Sequence, residues 1–175
     1  MVDQTDLQRY LRLEGCANMR DIGGYETLEG RRTRWKVIVR SDNLDKLPPA
    51  SQQDVIDYGV TTVIDLRERE EIERQPDVFA TSDVVKYLHL PMKGSPEIVS
   101  GALEFDTRED LYLYYLEHCT PQIKAVLEAI AGVERGCTLV HCVAGKDRTG
   151  IVAALLLALA KVPPKTIAHD YGITS

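Results

Sequence analysis

The chain has 175 residues, 44% of them hydrophobic and 27% charged, which suits one globular domain with a core that needs neither disulfides nor metals, and excludes a disordered or fibrous composition. With 21 Lys+Arg against 27 Asp+Glu the formal charge is -6, so the average surface repels nucleic acid and anionic membrane, and any anion site has to be local. The four cysteines, Cys16, Cys119, Cys137 and Cys142, have neither the density of a secreted disulfide framework nor the C-x-x-C spacing of a zinc site, and fit a reducing compartment.

No positive segment followed by an apolar one opens the chain, so a cytoplasmic location is expected, compatible with leaderless export. Tyr10 to Leu13 is a short apolar stretch, and Asn18-Met19-Arg20-Asp21-Ile22-Gly23-Gly24 is a loop whose paired glycines allow a sharp turn. Tyr25-Glu26-Thr27 and Trp35 to Val39 read as paired strands around Glu29-Gly30. A helix is predicted from Pro48-Pro49 to Tyr58, closed by Gly59, with proline at the start and glycine after the end. Val60 to Leu66, rich in β-branched residues, is a strand covered on both faces that puts Asp65 and Arg67 at its C-terminal edge.

Arg67 to Arg74 suits a short exposed helix whose charges form a solvated face, and Val84 to Leu90 another strand. Met92 to Asp106 is the longest loop. Thr107 and Asp110 form a capping box for a helix through His118, where Tyr112, Tyr114 and Tyr115 read as packing groups; a second helix runs from Thr120-Pro121 to Gly132. Cys137 to Cys142 is a strand, Thr149 to Lys161 a helix, and Pro163-Pro164 the start of a last helical piece. The apolar stretch Gly150 to Ala160 is too short to span a bilayer, which takes about 20 residues. Strand and helix alternate, so the class is α/β, a central mostly parallel sheet flanked by helices in a single domain, 1–175.

The chemistry concentrates in His141-Cys142-Val143-Ala144-Gly145-Lys146-Asp147-Arg148-Thr149-Gly150. A strand, tight loop and helix place this segment at the C-terminal edge of the sheet, where the amides from Val143 through Arg148 can form an anion-binding nest before a helix N-terminus. Gly145 permits the bend, and the planar fork of Arg148 suits two phosphate oxygens. The same dipole and guanidinium favour the thiolate of Cys142, a nucleophile that would attack phosphorus to give a phosphocysteine. Thr149 is expected to hydrogen-bond the sulfur and His141 to orient the loop.

His141-Cys142 through Arg148-Thr149-Gly150 resembles the H-C-x5-R-[ST]-G signature of the protein tyrosine phosphatase superfamily. Together with the Asn18 to Gly24 loop and Ile64-Asp65-Leu66-Arg67, it is similar to the atypical bacterial tyrosine, dual-specificity and lipid phosphatases that carry HCxAGKDRTG and NxRDxGG. The resemblance implies a phosphatase fold, a Cys142 nucleophile and an Arg148 phosphate ligand. It also implies action on phosphotyrosine, with phosphoserine/threonine and phosphoinositides among common substrates.

The general acid is contested. Asp106 and Asp110 lie in or beside the long loop, but the resemblance points to Asp147, with Asp65 as the alternative; Asp65 otherwise pairs with Arg20 or Arg67 as structure. Lys146 resembles the lipid phosphatases and suits a phosphoinositide head group, or is simply solvated. Arg20 and Asp21 belong to a loop expected to buttress the phosphate loop.

His89, His118 and His169 have no ligand spacing, so neither metal nor other cofactor is expected. The expected partner is a phosphorylated protein or phosphoinositide, with no nucleic acid and no stable membrane insertion; the oligomeric state is open. Relatives commonly continue with helices after the segment resembling Ile167 to Tyr171, so one expectation is a domain without their C-terminal helical lid, and whether a second subunit supplies the cover is open. A phosphate-binding module without turnover and a sulfurtransferase compete with the enzyme reading. The first would have lost Cys142, Arg148 or the acid, and the second has no need of Lys146 through Gly150. Cys16, Cys119 and Cys137 read as small buried hydrophobes, with a disulfide from Cys16 or Cys137 to Cys142 as a weaker expectation.

Overall fold

The structure is a computed structural model that describes residues 4–92 and 105–173. In chain order the elements are α1 (Gln4–Arg9), β1 (Arg20–Asp21), β2 (Ile38–Ser41), α2 (Pro49–Tyr58), β3 (Val60–Asp65), α3 (Arg69–Arg74), β4 (Lys86–His89), α4 (Arg108–His118), α5 (Thr120–Ala131), β5 (Cys137–His141), α6 (Asp147–Leu159) and α7 (Pro164–Gly172). The strands form one sheet in the order β1-β2-β5-β3-β4, parallel except where β1 runs against β2. This is the mixed α/β architecture with a mostly parallel sheet that the alternating elements predict.

Period-2 alternation sorts the central strands between two cores. Val39, Leu139 and Val63 stand in register and join Met19, Leu44, Val55 and Phe79 on one face, which α2 covers. Val140 and Ile64, one residue on, join Ile123, Val126, Ile151 and Val152 from α5 and α6 on the other. Burial on both faces explains why these strands read as continuous apolar runs. The last row of the sheet crosses Ser41, His141, Asp65 and His89, so the C-terminal edge collects the polar side chains.

The expected strand pair at 25–27 and 35–39 is corrected. Tyr25–Thr27 is not a sheet strand, although Gly24 N donates to Thr33 O at 2.7 Å and Thr33 N to Tyr25 O at 2.9 Å in a hairpin-like loop. Lys36 has a φ of 58°, which breaks the extension, so β2 begins at Ile38 and pairs with β1 instead. Gly59 closes α2 in the left-handed region, and Thr107 with Asp110 caps α4. The α6 helix starts at Asp147, two residues earlier than its predicted Thr149. The long loop from Met92 to Asp106 lies mostly outside the described residues. Among the described residues, no helix is long and apolar enough to cross a membrane.

Candidate active site

Between β5 and α6 the chain turns through residues 142–146, and its carbonyls are each taken from outside the turn. His141 Nδ1 lies 3.2 Å from Cys142 O, and Asn43 N donates to Val143 O at 2.9 Å. Asn18 Nδ2 donates to Ala144 O at 3.0 Å and Gly145 O at 3.3 Å. Arg40 Nη2 also donates to Gly145 O at 2.9 Å, and Gly150 N to Lys146 O at 2.8 Å. The amides of Val143 through Arg148 have no acceptor among the described residues. Carbonyls held outward and amides left open are an arrangement that can act as an anion nest at the N-terminus of α6.

Gly145 is what lets the turn close. Its φ is +64°, and a Cβ there would sit 2.5 Å from the backbone oxygen of Ser41. Cys142 begins the turn with only 3% of its surface exposed. Thr149, in the first turn of α6, has a buried hydroxyl with no hydrogen-bond partner. Lys146 is half-buried and forms no ion pair among the described residues.

Arg148 meets Glu71, from the charged run at 67–74. Its Nη1 and Nη2 donate to Glu71 Oε2 and Oε1 at 2.6 and 2.8 Å, an end-on bidentate pair. Burial works against the Arg148 charge, but Glu71 first and the nearby Cys142 sulfur next hold it more firmly protonated than usual. Burial likewise opposes ionisation of Glu71, and the Arg148 bonds prevail, holding the carboxyl below its ordinary range. Glu71 also accepts from Glu68 N at 2.6 Å, which closes the capping box of α3 and fixes where the carboxylate points. The short exposed helix expected in 67–74 is present, with Arg69, Glu70, Glu73 and Arg74 solvated, and the expectation is corrected at two residues: Arg67 is fully buried and Glu71 faces the loop. An acidic residue inside a run of charges carries no sequence signal that would have singled it out.

The two contested carboxylates are in different surroundings. Asp65 has no exposed surface, and its oxygens accept from Arg67 N, Nε and Nη2 at 2.6–3.0 Å and from Tyr87 OH at 2.7 Å. Burial opposes its charge, yet Arg67 holds it below the ordinary carboxylate range. Asp147 is half-buried at the start of α6 and accepts from Tyr112 OH at 2.5 Å through Oδ1.

Residues 11–175 match the tyrosine phosphatase family as a whole. The chain belongs to that family. It is 38% identical over 140 residues to a tyrosine-protein phosphatase of Nostoc commune, covering 78% of this chain and 48% of that protein. A second curated relative, from Cupriavidus necator, is 31% identical over 169 residues, 92% of this chain and 61% of that protein. The chain thus spans about half to three fifths of the length of these relatives. Among solved structures, P. aeruginosa TpbA in complex with pTyr is similar at a TM-score of 0.45 and 16% identity, over 80% of this chain and 70% of that one.

The remaining residues singled out in this tyrosine phosphatase family member lie behind the loop. Arg20 is fully buried and reaches Asp170 on α7 with Nε to Oδ1 at 3.2 Å; its Nη1 donates to the Asn18 side chain. Asp21 accepts from Gly23 N at 2.5 Å and from Lys36 N and Tyr58 OH at 2.7 Å, bracing the turn. His141 Nε2 lies 3.1 Å from Asp77 Oδ2 and 3.6 Å from Asp65 Oδ2. Donor atoms of Asp65, Asp77 and His141 gather within 4.8 Å, but the buried guanidinium of Arg67 already supplies Asp65 with its cation.

All four cysteines are free. Cys137 opens β5 and Cys142 follows its last residue, about 16 Å away at the usual rise per residue, which excludes a disulfide between them. Cys119 and Cys137 are core residues, but Cys16 is half-buried and donates to Asp42 Oδ1 at 2.6 Å. Burial, and then Asp42, push its thiol up to about 12, which leaves it a poor thiolate for attack on Cys142. Of the three helix tyrosines only Tyr115 is a core residue; Tyr114 packs on Phe105 and His118, and Tyr112 reaches Asp147.

Proposed function

We propose that the chain is a cysteine-dependent phosphatase that hydrolyses phosphomonoesters, phosphotyrosine first, through a phosphocysteine intermediate. The observation that carries this reading is the turn itself: outward carbonyls and open amides from Val143 to Arg148, directly after a buried cysteine and beside an oriented guanidinium.

In the first step Cys142 Sγ attacks phosphorus; the S–P bond forms as the P–O bond to the alcohol breaks, and Asp147 gives its proton to the departing oxygen. Water then attacks phosphorus, the S–P bond breaks, Asp147 takes a proton from the water, and phosphate leaves with the thiolate restored. The nest and Arg148 hold the equatorial oxygens, where charge is spread in both transition states. The partnerless hydroxyl of Thr149 supports a hydrogen bond to the sulfur when it is the leaving group. Enclosure of Asp65 by Arg67 and Tyr87 supports Asp147 as the acid.

Phosphoserine, phosphothreonine and phosphoinositides belong to the same proposal. Lys146 supports the lipid substrates, because a cation with no carboxylate partner among the described residues suits a second phosphate on the head group. Cys142→Ser is expected to abolish phosphate release from an aryl phosphate while retaining binding of phosphotyrosine; turnover at the wild-type rate overturns the mechanism. Phosphopeptides and phosphoinositides assayed side by side with the wild type rank the substrates.

A further inference from the structure

Tyr112 lies outside the phosphate loop, and the family signature does not single it out. From α4 its hydroxyl donates to Asp147 Oδ1 at 2.5 Å, and it is also hydrogen-bonded to the hydroxyl of Tyr171 on α7. The two rings meet edge to face, with centroids 5.8 Å apart and planes at 75°.

The direction of these bonds follows from the donor inventory. A carboxylate only accepts, while each phenol has one hydrogen to give. The chain therefore runs one way: Tyr112 gives its hydrogen to Asp147, so Tyr171 gives its own to Tyr112. Burial, and next the Asp147 carboxylate, push the Tyr112 phenol above its ordinary range, so it remains a donor throughout the working pH range.

We infer that Tyr112 is a positioning residue for the acid step: by fixing Oδ1 of Asp147 as an acceptor, it leaves Oδ2 as the oxygen that carries the proton to the leaving group. Tyr171 polarises Tyr112 from behind. The inference rests on Asp147 being the general acid, and it adds the residue that orients it. A general acid works only within hydrogen-bond reach of the leaving oxygen, so freedom of its carboxyl lowers the rate where protonation is most needed.

The test is kcat/KM, which covers the steps up to departure of the alcohol, for aryl phosphates from phenyl to 2,4-dinitrophenyl phosphate. Tyr112→Phe, which keeps the ring, is expected to lose about tenfold on phenyl phosphate and under about twofold on the dinitrophenyl ester, whose phenolate leaves without a proton. Inhibition by inorganic phosphate should stay within about twofold of wild type, because the nest is untouched. Asp147→Asn should show the same dependence more steeply, and Asp147→Asn/Tyr112→Phe should be no worse than Asp147→Asn alone, since the two act as one unit.

Tyr171→Phe, which removes only the donor behind Tyr112, should give a shallower version of the same pattern. An equal loss of Tyr112→Phe on every ester, or losses that multiply in the double variant, overturns the positioning role. A steep dependence for Asp147→Asn with none for Tyr112→Phe overturns it alone; no dependence for Asp147→Asn overturns the acid assignment as well.

Discussion

Replacing Glu71 with alanine separates two roles that its pair with Arg148 can play. The carboxylate engages the two terminal nitrogens of the guanidinium end-on, which uses two of its five N–H donors and leaves Nε and the outer hydrogens for a phosphate. On that geometry Glu71 orients the plane of the fork and does not occupy it. The side chains of Arg148 and Glu71 are 15% and 30% exposed, so the pair is shielded but not dry. Charge-assisted bonds of this kind contribute about 1.5–3 kcal/mol, and partial access of water favours the lower end, about 1.5–2 kcal/mol. If that free energy holds Arg148 ready for the transition state, Glu71→Ala lowers kcat/KM by about 10–30-fold.

Glu71→Gln keeps an oxygen for Glu68 N and for one Arg148 bond, and should fall between the alanine variant and the wild type. Initial rates on phenyl phosphate give kcat/KM, inhibition by inorganic phosphate gives binding, and a thermal melt confirms that α3 stays folded without its cap. Tighter phosphate inhibition with unchanged or higher kcat/KM in Glu71→Ala would refute the reasoning, because Glu71 would then be a competitor that substrate has to displace.

Two further substitutions probe the frame. Gly145→Ala puts a Cβ 2.5 Å from Ser41 O at a φ of +64°, and is expected to cost about 2–4 kcal/mol, or about 5–15 °C in melting temperature, with kcat/KM down by at least about 100-fold as the turn moves. A melting point within about 2 °C of wild type removes the claim that this contact shapes the turn. Asp170→Asn leaves Arg20 and Arg40 buried without their carboxylate and should cost about 3–5 kcal/mol at neutral pH. Burial opposes the Asp170 charge, but Arg40 and then Arg20 hold it below the ordinary 3.8, so its contribution is complete above that value and disappears as the pH falls through the lower folded one. The stability gap between wild type and Asp170→Asn, read from urea unfolding by the fluorescence of Trp35, therefore closes below pH 3.8; a gap constant across pH contradicts the pairing.

What was legible in the sequence is what depends on neighbours along the chain. The apolar run at 137–141, the glycine at 145 and the helix after it are local choices that all favour one strand–turn–helix unit, and α2 with Gly59 is marked equally well. What escaped depends on neighbours in space. Glu71 looks like any other acid in a charged run until α3 lies beside the loop, and Tyr112 looks like a packing tyrosine until α4 and α7 bring it to Asp147. The strand pair expected at 25–27 failed for a local reason that no pattern of hydrophobic residues reports: Lys36 takes a positive φ, and the ring of Trp35 closes over Gly24.

The shape of the turn is held from three directions. Asn18 on the loop before β1 takes the carbonyls of Ala144 and Gly145, Arg40 on β2 takes Gly145 again, and Asp170 on α7 takes Arg40 and Arg20. Arg20 in turn donates to the Asn18 side chain, so the two supports of Gly145 O meet in one buried network. A carbonyl oxygen turned inward would repel the phosphate that the amides attract, which makes orientation of these peptide groups an electrostatic requirement and not merely a packing one. Because protein donors already satisfy the carbonyls, the proposed nest would need no reorganisation when a dianion arrives, and on the proposed mechanism the free energy of binding would be available for the equatorial oxygens of the transition state. On the proposed mechanism, the Asn18 to Gly24 loop and α7 would act on the reaction through peptide orientation.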